Sequence, residues 1–217
     1  MIPLRFIKAT NKMVHYRRVF LKGGTYFFTV NLKNRQSNLL IDAVDLLRES
    51  FLYTQNKKPF TIIAIVILPE HLHCIWQLPE SDKDYPARWK SIKSHFTRQI
   101  KKSGMHIKQN NHHEHNIWQR RYWEHTIRDD NDLTQHIDYI HFNPVKHGWV
   151  KSVKDWEYSS FHKYVKNGTL PLNWGSDVEI KDSISYGERS LDAAARNQGT
   201  LINNLDSTSF HQGYLNE

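Results

Sequence analysis

The chain is poor in the features that mark several protein classes. Its 217 residues include one cysteine, Cys74, which excludes an intramolecular disulfide and a Cys-rich zinc module. A chain of this length needs no such staple to bury a core, and a single thiol fits a reducing compartment. The longest apolar run, Ile62 to Leu68, falls far short of the roughly 20 residues that span a bilayer. The segment MIPLRFIKATNKMVHYRR alternates apolar with basic residues and has no apolar signal core. A cytoplasmic protein with no membrane partner is expected. There is no phosphate-binding glycine loop and no GxSxG elbow. Internal repeats and low-complexity blocks are also missing.

Positive charge is abundant. Lys and Arg number 30 against 22 Asp and Glu, a net of +8, with a pI near 9.5. The distribution is uneven: residues 1–174 carry +12 and residues 175–217 carry −4. A basic body suggests a polyanionic partner, most simply nucleic acid; the alternative is a soluble protein that happens to be basic. Aromatic content of 12%, with seven Trp, argues against disorder across the body. One domain over 1–174 and an acidic, loosely ordered tail over 175–217 are therefore expected.

Patterning along the body alternates strands and helices. After the Gly23-Gly24 turn, Thr25 to Leu32 is β-branched and aromatic, a predicted strand. Leu40, Val44, Leu47 and Phe51 fall at helical spacing within Leu39 to Tyr53, with Asn38 as a cap. Phe60 to Leu68 reads as a central strand covered on both faces, and His71 to Leu78 as its hairpin partner. Trp89, Ile92, Phe96 and Ile100 stripe a helix over Pro86 to Lys102. Gly104 to Asn116 is a polar loop, and Ile117 to Ile127 is a predicted strand. A helix over Asp129 to His141 is expected to stop at Asn143-Pro144, because a residue before proline is pushed out of the α region. Trp156 to Val165 is a last short helix. Only a very short turn joins Leu68 to His71, which leaves no room for a parallel crossover. The fold class is thus α+β, with a mainly antiparallel sheet.

Three groups of residues bear chemistry. In His71-Leu72-His73, side chains two apart on a strand share a face. Both imidazoles can then reach one divalent metal, or they are simply two surface histidines. In QHIDYIHFNPVKHG, Tyr139 and Asn143 lie four apart on one helix face, with His136 on the same side. A phenol followed one turn later by an amide oxygen combines a nucleophile with a further metal ligand; the alternative is a tyrosine at the edge of an amphipathic core. The third group interleaves aromatic and basic residues: Trp118, Arg120, Arg121, Tyr122, Trp123, His125 and Arg128. Cations neutralise phosphates and aromatics stack on unpaired bases. Arg120, Arg121, Trp123 and Arg128 are candidate DNA contacts, together with Arg88, Lys93 and Arg98 on the preceding helix. His112-His113-x-His115 has no scaffold and reads as a solvated loop, and Cys74 as a small core residue.

Taken in order, LPEHLHCIWQLPESDKDY, RWKSIKSHFTRQIKK, WQRRYWEHTIRDDNDLTQHIDYIHFNPVKHGWV and DWEYSSFHKYV resemble the REP-associated tyrosine transposases. These are domesticated relatives of the single-strand insertion-sequence transposases, with an HUH motif and one catalytic tyrosine. RRVFLKGGTYFFTVNLKNR matches as well, so the resemblance spans about 14–174. It places His71 and His73 at the HUH positions, Tyr139 at the catalytic tyrosine, and Asn143 where relatives carry a Gln or Asn metal ligand. It implies a ferredoxin-like sandwich and Mg²⁺ or Mn²⁺ as cofactor. The implied substrate is single-stranded DNA beside a hairpin of a repetitive extragenic palindrome (REP), processed through a 5′-phosphotyrosine. His136 is the nearest candidate proton acceptor. The protein is expected to act as a monomer or a homodimer. Two other classes stay open at this point: a non-catalytic nucleic-acid-binding protein, and a metal-dependent nuclease that hydrolyses with water.

Overall fold

The alternation in TYFFTVN sends Tyr26, Phe28 and Val30 to one side of a strand and Phe27, Thr29 and Asn31 to the other. Both sides are covered, so six of these seven residues are buried. The computed structural model describes residues 18–105 and 117–176. The loop histidines His112, His113 and His115, and nearly all of the expected tail, lie outside the described residues.

The strands are β1 (Thr25–Asn31), β2 (Thr61–Ile67), β3 (His71–Gln77) and β4 (Trp123–Thr126). The helices are α1 (Leu39–Asp42), α2 (Val44–Lys57), α3 (Tyr85–Lys102), α4 (Asp130–Lys146) and α5 (Phe161–Lys166). The sheet order is β2-β3-β1-β4, and every neighbouring pair is antiparallel. Strand β3 lies between β1 and β2, which are linked through α1 and α2; this is the split arrangement of a ferredoxin-like α+β sandwich. Helices α2 and α3 cover the face made by Tyr26, Phe28, Val30, Leu72, Cys74 and Trp76. On the opposite face Ile137, Tyr139 and Ile140 of α4 pack with Phe27, Ala64, Val66 and Ile75.

Four boundaries differ from the sequence expectation. The helix expected from Leu39 breaks at Ala43 and continues as α2 to Lys57; Asn38 makes no side-chain cap bond there. Strand β2 sits at the edge of the sheet, not its centre. Its outer side is covered by the chain after α4: Ile67 N donates to Tyr158 O (2.9 Å) and Ser160 N to Ile65 O (2.8 Å). Ser160 Oγ also accepts from Ile65 N at 2.9 Å. An edge strand so covered needs no polar protection, which is why its sequence looks central. This use of residues 156–160 shortens the expected last helix to α5. Of the predicted strand over 117–127 only β4 forms, preceded by a bridge from Trp118 to Leu32. Helix α4 runs through Pro144 to Lys146. Proline here falls in the last turn, so little of the hydrogen-bond ladder is lost, and His147 N still reaches Asn143 O at 3.0 Å.

Arg88 corrects a second expectation. It is not a DNA contact, because its side chain is only 1% exposed. The guanidinium donates to Asp84 O (2.9 Å), Pro59 O (2.6 Å) and Asp82 Oδ2 (2.8 Å), tying the start of α3 to the end of α2. Arg88→Met would leave the Asp84 and Pro59 carbonyls without this donor, while the part-exposed Asp82 carboxylate turns to water, at a cost of about 1–3 kcal/mol. Urea denaturation of the variant is expected to show that loss as a lower midpoint with an unchanged slope.

Candidate functional site

His71 and His73 are both on the α4 side of β3, since Leu72 and Cys74 belong to the opposite core. They stand opposite Asn31 and Thr29 in the β1 register. Their rings lie edge to face with centroids 4.9 Å apart. Both are buried, at 1% and 0% exposure. Glu70 Oε1 is 2.9 Å from His71 Nδ1, and Thr29 Oγ1 is 2.9 Å from His73 Nδ1. A carboxylate partner holds the proton on Nδ1 of a neutral imidazole and turns the Nε2 lone pair outward, as carboxylates do behind metal-bound histidines. His71 Nε2 is buried and has no hydrogen-bond partner among the described residues. Burial lowers the His71 pKa more than Glu70 raises it, so the ring is kept in the neutral state that ligates metal. Burial pushes the Glu70 carboxyl up, but its hydrogen bond with His71 and the Arg35 guanidinium at 3.4 Å bring it below the usual value.

Helix α4 meets this pair along one face. The Tyr139 ring packs on His73 with centroids 5.2 Å apart, and the His147 ring packs on His71 at 5.3 Å. Residues four apart stack up one side of a helix, so Asn143, midway between these two contacts, faces the histidines. It is fully buried. Lys146 Nζ stands 4.9 Å from the centre of the Tyr139 ring. The structure thus brings His71, His73 and Tyr139 together within one chain, with Asn143 buried one helical turn after Tyr139 on the same side of α4. An imidazole pair with an amide oxygen suits a borderline or hard divalent cation. The fit rests on the orphaned Nε2 of His71, which a cation would satisfy. Glu70, His147 and Lys146 were not anticipated from the sequence. Glu70 was legible only as the neighbour of His71, while the other two needed the end of α4 to be placed over β3.

His136 lies one turn before Tyr139, and both rings pack on Phe27. Its Nδ1 donates to Asp132 O at 2.7 Å, and burial pushes its pKa down to about 4. Asp132 is the hub of this end of α4. Its Oδ2 accepts from His125 Nε2 (2.8 Å) and from Arg128 N and Nε (3.0 and 3.1 Å), and its Oδ1 is 3.1 Å from His136 Nδ1. His125, Asp132 and His136 offer ligand atoms within 4.8 Å of one another. Arg128 already neutralises that carboxylate, however, so the cluster is better suited to holding β4 and α4 together than to binding a second cation.

The remaining candidate DNA contacts separate. Arg98, Arg120 and Arg121 are exposed. The Arg128 side chain is 73% exposed, leaving it able to reach outward while paired with Asp132. Lys93 is half-buried: its Nζ donates to Gln119 O at 3.0 Å and lies over the Tyr122 ring at 5.2 Å. Burial lowers its pKa to about 8, and it clamps the segment before β4 onto α3. Trp123 is also half-buried, edge-on to Phe27 at 5.6 Å.

Behind the site, Asp138 Oδ1 is buried with no hydrogen-bond partner among the described residues, and burial pushes its pKa up to about 7. A carboxyl with a raised folded pKa gives its stability below the unfolded value, near 4, and loses it as pH rises through 7. Asp138→Asn should therefore gain on the native protein by roughly 2–4 kcal/mol between pH 4 and pH 8. Buried His136 and His141 destabilise as pH falls in both proteins, so the difference between paired urea melts isolates Asp138. Parallel pH profiles for the two proteins would be the contrary result.

Comparison with known proteins converges on one group. Residues 21–143, which contain all four site residues, match the family described as Transposase IS200 like. The chain is 49% identical over 179 residues to the REP-associated tyrosine transposase of Escherichia coli (strain K12), covering 82% of this chain and 99% of that protein. It is also similar to a structure of a REP-associated tyrosine transposase bound to a REP hairpin. That match has a TM-score of 0.71 and 47% identity, over 82% of this chain and 99% of the other.

Proposed function

The chain belongs to the IS200-like transposase family, and we propose that it cuts and rejoins single-stranded DNA beside a REP hairpin, with Tyr139 as nucleophile. The observation that carries this reading is the α4 ladder of Tyr139, Asn143 and His147 set against His73 and His71.

In the cleavage step the Tyr139 Oη attacks phosphorus in line, the bond from phosphorus to the 3′-oxygen breaks, and that oxygen leaves to become a 3′-hydroxyl. The product is a 5′-phosphotyrosine, which stores the phosphodiester for attack by a second 3′-hydroxyl. A phenol of pKa about 10 must lose its proton on the way. His136 is neutral and able to accept it, but its pKa of about 4 makes it a weak base. The Lys146 charge over the ring favours the phenolate, so the proton can pass to His136 or to water. Mg²⁺ or Mn²⁺, held by His71, His73 and Asn143, would supply Lewis-acid polarisation of the phosphoryl oxygen. Three neutral ligands bind such hard cations weakly, so affinity should rise when DNA phosphate is present.

Residues 1–174 are assigned to this DNA-processing body; the described part of its packing ends with Trp174 against Phe161. Among the described residues no helix is long and apolar enough to cross a membrane; action on DNA places the protein in the cytoplasm under this proposal. The exposed Arg120 and Arg121 grip the backbone. Replacing either with Ala should weaken DNA binding severalfold and reduce the salt slope by about one, measured by anisotropy between low and moderate salt.

The decisive experiment incubates the protein with hairpin DNA carrying single-stranded flanks and Mg²⁺ or Mn²⁺. A denaturing gel should show a protein–DNA species, and mass spectrometry should find the nucleotide on Tyr139. Binding unaffected by EDTA with no such species would make the protein a non-catalytic binder. Cleavage without an adduct would make it a hydrolytic nuclease.

A further inference from the structure

Helix α4 ends in a turn that projects a tryptophan. Gly148 N donates to Val145 O and Trp149 N to Pro144 O, both at 2.9 Å, with Gly148 at φ +72°. This pair of bonds around a left-handed glycine is the Schellman motif. It holds the Trp149 backbone in place while leaving the residue 48% exposed. A large aromatic that is fixed but uncovered is costly to hydrate, and singly exposed apolar residues usually mean little. Trp149 is not single. Its ring lies 6.2 Å from Trp156, tilted by 40°, and Trp156 in turn lies 5.6 Å from Tyr158. Trp156 is anchored by its Nε1–H on Ile67 O at 3.0 Å. The three rings thus form a step along the outer end of β2. That step begins two residues after His147, whose ring packs on His71. The chain around Trp149 is basic, with Lys146, Lys151 and Lys154 and no acidic residue from 146 to 154, and the last two are exposed; the exposed carboxylates Asp155 and Glu157 lie at the Trp156–Tyr158 end, so the cationic side of the step is the Trp149 side.

We propose that Trp149, backed by Trp156, is a stacking platform for an unpaired base in the strand next to the scissile phosphate. The inference rests on the nucleic-acid reading above and adds a binding site to it. Rigid aromatic faces bordered by cations take single-stranded bases, because each base presents a π-face and each linkage a phosphate. A duplex base, stacked on both sides, has no face to offer. The step therefore selects the single-stranded flank over the hairpin stem. Because His147, two residues before Trp149, packs on His71, a nucleotide held on the step would lie a short chain length from the Tyr139 site, and stacking there would orient the phosphate for attack.

The test replaces each flanking nucleotide in turn with 2-aminopurine, whose fluorescence is quenched by stacking. On the native protein one flank position should be quenched strongly, and in Trp149→Ala that quenching should be lost. The same variant should form Tyr139 adduct about tenfold or more slowly on the flanked substrate, while Trp149→Phe should stay within a few fold. Binding of a hairpin without flanks should not change, which also checks that the variant is folded. An abasic residue at the quenched position should slow the native protein as much as Trp149→Ala does, and add nothing to that variant. Equal quenching and equal adduct rates in the native protein and Trp149→Ala would overturn the platform and leave the catalytic reading intact. A native protein that quenches one flank position yet forms no adduct would support the platform and overturn the catalytic reading. Protection of Trp149 by a protein partner and not by DNA would overturn the inference.

Discussion

Tyr139→Phe is expected to abolish the covalent protein–DNA species while leaving affinity for hairpin DNA within about twofold. The change removes a single oxygen, and the phenyl ring keeps its packing on His73 and Phe27. The Phe variant should therefore fold, and thermal melts of the two proteins should nearly coincide. Chemistry is another matter. Without the phenol there is no atom to form the phosphotyrosine, so the loss should reach the detection limit, at least about a thousandfold. On the proposed reading binding rests on exposed cations such as Arg120 and Arg121, which the change does not touch. An adduct that persists in Tyr139→Phe would move the nucleophile elsewhere. Cleavage that persists without an adduct would reveal water as the attacking group.

His71→Ala should lower cleavage by about a thousandfold, on the scale of several kcal/mol that a Lewis acid supplies to a phosphoryl transition state. His73→Ala should do the same. EDTA should reproduce the effect on the native protein and have little further effect on either variant. Glu70→Gln provides the graded case. The amide oxygen can still accept from His71 Nδ1, but the charge is gone, and such partners behind a metal ligand typically matter by about 10–100-fold. Raising the Mn²⁺ concentration should recover much of the Glu70→Gln activity and little of that of His71→Ala. Full activity of His71→Ala, or of the native protein in EDTA, would remove the metal from the reaction.

These experiments address a site that was partly legible in the linear chain. The pairing of His71 with His73 follows from strand periodicity alone, as does the placing of Leu72 in the opposite core. Tyr139 and Asn143 on one helix face follow from helical periodicity. Asn143-Pro144 misled on where α4 ends, because the local preference before proline yielded to burial of both residues. That error hid His147 and Lys146, which belong to the same helical face only if the helix continues. Arg88 misled for a related reason. Charge on a helix usually means solvent, but three oxygen acceptors from the α2 end and the α3 start surround this guanidinium. No pattern within α3 announces them.

The sequence by itself determined the elements, the antiparallel hairpin of β2 and β3, the two-sided burial of the sheet and the residue types available for chemistry. All of these depend on short-range periodicity and on the length of connections, which are properties of the chain. Only the tertiary structure decided that α4 crosses β3 with Tyr139 on His73 and His147 on His71. It alone decided that Glu70 and Thr29 hold the imidazole Nδ1 atoms, and that Trp149 is left uncovered after the end of α4. Contacts between elements far apart in the chain, such as α4 on β3, arise from packing two faces against one sheet. Periodicity sets which face a residue occupies, but not which neighbour it meets there.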